Sequence, residues 1–163
     1  MLIYLKNNNT LCVDEFQFRC VIGKNKLKKN KTEGDFSTPV GKYKLINLYY
    51  RSDRIKKIKT KLKKISIKKN LGWCDDVKNK SYNKPITTDK NIKHEKMFRH
   101  DTKYDLVIVL DYNFKKPLLG KGSAIFIHVT NNFKPTAGCV ALSKKDLIIL
   151  LKIISKNTFL KTG

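Results

Sequence analysis

The sequence predicts a mainly β domain with one helix near its C-terminus, and three observations carry that expectation. Short runs of β-branched and aromatic residues recur between turn signals along most of the chain. One segment, close to the end, combines a helical period of apolar residues with an N-cap signal. The length of 163 residues and the 40 % share of apolar residues suit one compact core, so residues 1–163 read as a single domain.

Taken in order, residues 2–5, 11–13, 17–22 and 43–49 read as strands. Between the third and fourth, residues 34–41 (Gly-Asp-Phe-Ser-Thr-Pro-Val-Gly) form a tight turn region punctuated by proline and two glycines. Residues 105–111 and 123–130 follow as central strands, on the strength of Val107-Ile108-Val109 and Ile125-Phe126-Ile127. Ser143 is then a helix N-cap candidate, with Asp146 three residues on in a near capping box. Leu147, Ile148, Leu150, Leu151 and Ile154 supply the helix's apolar face. The mixture reads as mostly antiparallel β with one or two helices.

Composition limits the function classes. The four cysteines, at 12, 20, 74 and 139, include no C-x-x-C pair, and the histidines at 94, 100 and 128 complete no zinc-site spacing. No structural metal is expected, and a chain of this size does not need disulfide staples. The start, Met1-Leu2-Ile3-Tyr4-Leu5-Lys6, has no basic n-region and no adequate apolar h-region, so no signal peptide is visible. No run approaches the ~18 apolar residues of a membrane span. A soluble monomer is expected.

The net charge of +23 points first to a polyanion partner. The basic residues are mostly lysine, however, and accompany abundant Asn and Ile, the combination an AT-rich genome writes on any surface. The densest cluster, residues 54–69, places Ile55, Ile58, Leu62 and Ile65 at near-helical spacing. It fits either an amphipathic helix lying on lipid or a phosphate backbone, or an extended surface arm. The switch to alternation at Ile65-Ser66-Ile67 favours the arm. Few aromatics interleave with these lysines, which makes nucleic acid an unlikely partner. A polyanion-binding module remains the competing, non-enzymatic reading.

The chemistry concentrates in residues 124–142. His128 ends an apolar strand, a polar loop follows, and Gly138-Cys139 precedes another apolar run. A strand–loop–strand hairpin is expected to bring His128 and Cys139 together at the loop mouth. An imidazole beside a thiol removes its proton, and the thiolate is the nucleophile. Gly138, lacking a side chain, lets a substrate carbonyl approach backbone N–H groups able to hold an oxyanion. The alternative for each residue alone is a buried apolar cysteine and a structural histidine.

Residues Pro135-Thr136-Ala137-Gly138-Cys139-Val140-Ala141-Leu142, with Ile127-His128 upstream, resemble the signature of the L,D-transpeptidase (YkuD-like) catalytic domain. Gly34-Asp35-Phe36-Ser37-Thr38-Pro39-Val40-Gly41-Lys42-Tyr43 looks like the family's T-P-x-G element. Leu71-Gly72-Trp73-Cys74-Asp75-Asp76 and Tyr82-Asn83 resemble a compact branch with a G-W-C-D segment. The resemblance runs from about residue 11 to 151. It implies a β-sandwich with a helix after the catalytic cysteine, and acyl transfer on peptidoglycan stem peptides as donor and acceptor. Cys139 would be the nucleophile and His128 the base, with the backbone of Ala137, Gly138 and Cys139 around the oxyanion and no cofactor. Cross-linking, L,D-carboxypeptidase action and amino-acid exchange all stay open. That substrate implies a cell-envelope or periplasmic site of action, with the cytoplasm the alternative in the absence of a visible signal.

Two positions depart from the family pattern: Ala137, where a second histidine is common, and Ala141, where an arginine is common. Without the arginine, a substrate carboxylate needs another cation, for which Lys134, Arg99 and His100 are candidates. Trp73 is either a wall of the substrate groove or a core residue, and Asp75 either holds an acceptor amine or caps a turn. Cys74 is expected to be inert. His94 and His100, at helical separation in a charged stretch, are expected to be solvated.

Overall fold

A computed structural model describes residues 1–88 and 91–163. The elements in order are β1 (Leu2–Asn7), β2 (Thr10–Val13), β3 (Phe16–Val21), β4 (Leu27–Lys28), β5 (Thr38–Pro39), β6 (Gly41–Tyr50) and β7 (Lys63–Ser66). They continue with β8 (Leu71–Cys74), β9 (Pro85–Thr87), β10 (His94–Lys96), β11 (Leu106–Leu110), β12 (Phe126–Val129), β13 (Val140–Leu142), α1 (Lys144–Ile153) and β14 (Phe159–Thr162). The predicted β class and the single late helix are both present. Ser143 caps α1 as the sequence implies, its Oγ accepting from Asp146 N–H at 3.1 Å and donating to Asp146 Oδ2 at 2.7 Å.

Strands pair in the order β11-β12-β13-β3-β2-β1-β14-β6-β7, and β6 also bonds to β11. The length of β6 makes this possible: residues 41–44 pair with β14, and residues 45–50 with β11. Strands β11 through β6 therefore close on themselves around an apolar interior that includes Ile3, Leu11, Leu48, Ile108, Ile127 and Leu142. The apolar face of α1 (Leu147, Leu150, Leu151) joins the same interior. Strand β14, unforeseen in the sequence, runs parallel to β1 after the helix.

Strand alternation sends the next residues of β11 and β12 to the other face. There Val107, Val109, Phe126 and Cys139 pack with Trp73, Tyr49, Met97 and Tyr104 in a second apolar cluster. This cluster lies beneath the small sheet β10-β8-β9. Two apolar layers sharing the β11–β12 strands give the domain its sandwich character.

The expected hairpin between His128 and Cys139 is not formed. Strands β12 and β13 run parallel, with His128 opposite Ala141, and residues 130–139 cross over between them. Spacing along the chain fixes only the length of a connection, not the direction in which the next strand enters. The crossover is pinned at its middle: Thr136 N–H donates to Ile22 C=O and Thr136 C=O accepts from Lys24 N–H, both at 3.0 Å. The nine-stranded sheet is mixed among the described residues: most of its pairings are antiparallel, as the sequence implies, and β1–β14, β12–β13 and β6–β7 are parallel.

The lysine-rich segment is an extended arm, as the alternation in it suggested. Ile55, Leu62 and Ile67 are buried, and residues 63–66 form β7, parallel to β6. Its start is anchored by Arg54, which reaches Asp105 Oδ1 and the carbonyls of Asp101 and His100. No helix among the described residues is long and apolar enough to cross a membrane.

Candidate active site

Cys139 and His128 face one cleft of about 330 Å³. The β12–β13 register explains why. His128 lies opposite Ala141, so Cys139, two residues earlier, projects from the same face one diagonal step away.

The thiol is held from two sides. Its S–H donates to Ala124 C=O at 3.1 Å, and Phe126 N–H donates to the sulfur at 3.3 Å. Burial pushes the Cys139 thiol up to about 12. His128 Nδ1 lies 2.9 Å from Val129 C=O. A carbonyl only accepts, so Nδ1 carries the proton and Nε2 keeps its lone pair. Burial lowers this imidazole to about 4, so at neutral pH both groups are uncharged. The Tyr104 ring packs edge-on against His128, with 5.2 Å between centroids, and its hydroxyl donates to Glu95.

The segment gripping the thiol is itself held by the G-W-C-D and Tyr-Asn stretches. Asn83 Oδ1 accepts from Trp73 Nε1 at 2.9 Å and from Ala124 N–H at 3.0 Å, so one amide ties the tryptophan to the residue that binds the thiol. Tyr82 Oη accepts from Gly122 N–H at 3.0 Å and donates to Glu33. Asn83 sits at φ 56°, a left-handed conformation that asparagine tolerates better than most residues.

The T-P-x-G turn supports the cysteine's other side. Thr38 Oγ1 donates to Gly138 C=O at 2.7 Å and accepts from Gly23 N–H at 2.9 Å. Gly138 has φ 147°, and a Cβ there would lie 2.8 Å from Ser37 C=O. The missing side chain makes room for that turn, and Gly138 also lines the cleft. Gly138 N–H is engaged by Thr136 Oγ1 at 3.1 Å, and Thr136 Oγ1 donates to Cys139 C=O at 2.6 Å. Among the described residues, the N–H groups of Ala137 and Cys139 have no protein acceptor.

The family model for the L,D-transpeptidase catalytic domain (YkuD) matches residues 1–161. The chain belongs to that family. It is therefore an enzyme of the L,D-transpeptidase family, a family that acts on peptidoglycan. The match extends beyond the stretch from 11 to 151 that carries the sequence resemblance and takes in β1 and β14, which pair in the same sheet. Among curated proteins the comparison finds no match.

The cleft of this L,D-transpeptidase domain contains Asp75, Arg99 and Lys134 but not Trp73 or His100. Trp73 is 1 % exposed, with its ring against Phe126, Tyr49 and Phe114, so it is a core residue and not a groove wall. His100 is exposed and contributes its carbonyl to Arg54. Arg99 donates through Nε and Nη2 to both oxygens of Asp101, at 2.9 and 2.7 Å, which occupies much of its fork. His94 lies on a strand, not a helix, and is half-buried with Nδ1 2.6 Å from Ile92 C=O. All four cysteines are free and buried, and Cys74 makes no approach to the cleft.

Sequence reasoning missed Lys31, Glu33, Glu95, Tyr104 and Ser123, all of which line the cleft. Lys31 is buried, with Nζ 2.6 Å from Asp35 Oδ1 and 3.4 Å from where a Gly138 Cβ would stand. It places a positive charge beside the cysteine from the opposite end of the chain. In the β8–β10 register Glu95 stands across from Trp73, and alternation along His94-Glu95-Lys96 would have told only that Glu95 faces away from its two neighbours.

Proposed function

We propose that the protein is a peptidoglycan L,D-transpeptidase working through a Cys139 thioester, with His128 as base. The observation that carries this reading is the shared cleft: a thiol and an imidazole with its Nε2 lone pair free, on one sheet face, beside unengaged N–H groups of Ala137 and Cys139.

A stem peptide enters with the carbonyl of its third residue at the sulfur. The S–H leaves Ala124 C=O and passes its proton to His128 Nε2 as the C–S bond forms. The N–H groups of Ala137 and Cys139 hold the oxyanion. The Lys31 ammonium adds a positive field from the same side. Collapse breaks the C–N bond, and the terminal D-residue leaves with the proton from His128. An acceptor amine then attacks the thioester: His128 takes the amine's proton as the new C–N bond forms, the C–S bond breaks, and the proton returns to the Cys139 sulfur. The neutral resting pair means that proton transfer accompanies attack instead of preceding it.

Without an arginine at position 141, Lys134 and Lys103 on the cleft rim are the cations that meet a substrate carboxylate. The enzyme acts as a monomer in the cell envelope, where its substrate lies. Fractionation that recovers it wholly from the cytoplasm would contradict that placement.

The test of the reaction is product analysis with stem tetrapeptide, with and without added acceptor peptide. Cross-linked dimer that requires Cys139 supports transpeptidation. Tripeptide alone, even with excess acceptor, would make the enzyme a carboxypeptidase. Turnover surviving in folded Cys139→Ala protein would refute the thioester.

A further inference from the structure

The chain carries 36 Lys and Arg against 13 Asp and Glu, so an acidic side chain has cations on every side. Asp35, Asp53, Asp101 and Asp105 form ion pairs accordingly. Three other acids, Glu33, Asp75 and Glu95, enter the cleft from separate parts of the chain, and none forms an ion pair among the described residues. Each is close enough to another to matter electrostatically. Burial, followed by repulsion from Glu33, raises Asp75, and burial with weaker repulsion from Asp75 and Glu33 raises Glu95. Lys93 is felt at Asp75 but does not pair with it.

Two polar atoms beside these carboxylates also lack partners. Asp75 Oδ1 is sealed from solvent with no hydrogen bond, and so is the hydroxyl of Ser123, a cleft residue only 7 % exposed. Ser123 follows Gly122, whose N–H donates to the Tyr82 hydroxyl that in turn donates to Glu33, so serine and carboxylate meet at one tyrosine. A buried polar group without a partner costs about 1–3 kcal/mol. A ligand that supplies the missing partner is one way such a cost is recovered.

We propose that Glu33, Asp75, Glu95 and Ser123 form a subsite for a primary ammonium group of the substrate, next to the Cys139 nucleophile. An ammonium brings three N–H donors and a positive charge, which answers three carboxylates and a hydroxyl that can accept. Tyrosines already occupy one oxygen each of Glu33 and Glu95, leaving the others for the ligand. Among the described residues, no group of acids converges as metal ligands, which favours an amine on a chain over a bare cation. The inference rests on the acyl-transfer reading for the identity of the substrate. Either the donor or the acceptor stem peptide could present the ammonium, and the chemistry is the same.

The test uses two stem tetrapeptides identical except at the side-chain amine of the third residue, free in one and acetylated in the other. Calorimetry on Cys139→Ala protein reads binding independently of turnover. The free-amine peptide is expected to bind at least about tenfold tighter, in line with a charge-assisted hydrogen bond to a buried carboxylate. Adding Asp75→Asn abolishes that preference, and adding Glu33→Gln reduces it. Because Asp75 Oδ1 has no partner, Asp75→Asn keeps or raises Tm, which separates a lost subsite from a lost fold. On wild-type protein, acetylating the donor distinguishes the sources, because the acceptor's amine is also the attacking nucleophile and cannot be blocked for this purpose. Slower adduct formation with the acetylated donor assigns the ammonium to the donor, and unchanged adduct formation assigns it to the acceptor. Equal binding of the two peptides, or a preference that survives Asp75→Asn, overturns the inference. An amine preference without any adduct on wild-type protein would leave the subsite standing and remove the acyl-transfer reading.

Discussion

Alkylation of Cys139 by iodoacetamide in the absence of substrate reads its resting charge. The thiol stands at about 12, raised by burial in an apolar layer between Phe126 and Tyr104, and His128 is lowered to about 4. Against a free cysteine near 8.5, the thiolate fraction at neutral pH falls by roughly 3000-fold. A more basic thiolate is also a better nucleophile, and a Brønsted slope of about 0.4–0.5 recovers nearly half of that logarithm, leaving a deficit of about 50- to 100-fold. The assay follows mass-resolved labelling of the Cys139 peptide across pH, with a cysteine-containing model peptide in the same tube. The rate at neutral pH is expected to fall well below that of the model peptide and to climb without a plateau into the alkaline range. Labelling as fast as the model peptide, with an inflection near or below neutrality, would mean a preformed thiolate–imidazolium pair and refute the neutral resting state.

Three further outcomes follow from the same contacts. Thr38→Val strips Gly23 N–H and Gly138 C=O of their shared partner in a fully buried position. It should cost about 2–4 kcal/mol, or about 6–12 °C in Tm for a domain of this size, measured by thermal unfolding. Trp73→Phe keeps a ring in the core but removes the indole donor to Asn83, so stability falls by about 1–3 kcal/mol while KM for donor peptide stays unchanged. A raised KM would put Trp73 back at the groove. His128 is held below its unfolded value, so the unfolded chain binds the extra proton. The resulting stability is present above about 6.5 and is lost as pH falls through about 4. Denaturant midpoints across that window should show the loss in wild type, and His128→Gln should flatten it.

The class of fold, the helix cap and the candidate pair were legible because each is written in local sequence. β-branched runs mark the central strands, Ser143 and Asp146 mark the cap, and Gly138-Cys139 with His128 upstream mark the thiol and imidazole that the fold brings to one cleft. Chain direction was not legible, since an eleven-residue separation fits a hairpin and a parallel crossover alike. Trp73 and Asn83 showed as motif residues, but their task did not. The Asn83 amide acts on Ala124, 41 positions away, and only the folded chain makes them neighbours. The acidic wall was hidden for a related reason. Asp75 stood out in sequence beside Trp73, but Glu33 and Glu95 sit in charged or polar surroundings where solvation is the ordinary expectation, and only the tertiary structure brings all three to one cleft.

Intact-mass spectrometry of the reduced protein mixed with a stem tetrapeptide tests the central claim most directly. The account predicts a covalent adduct equal to the peptide minus its terminal D-residue, mapping to Cys139 and absent from folded Cys139→Ala. An unmodified mass under conditions where the peptide is consumed, or an adduct that persists in Cys139→Ala, would contradict it.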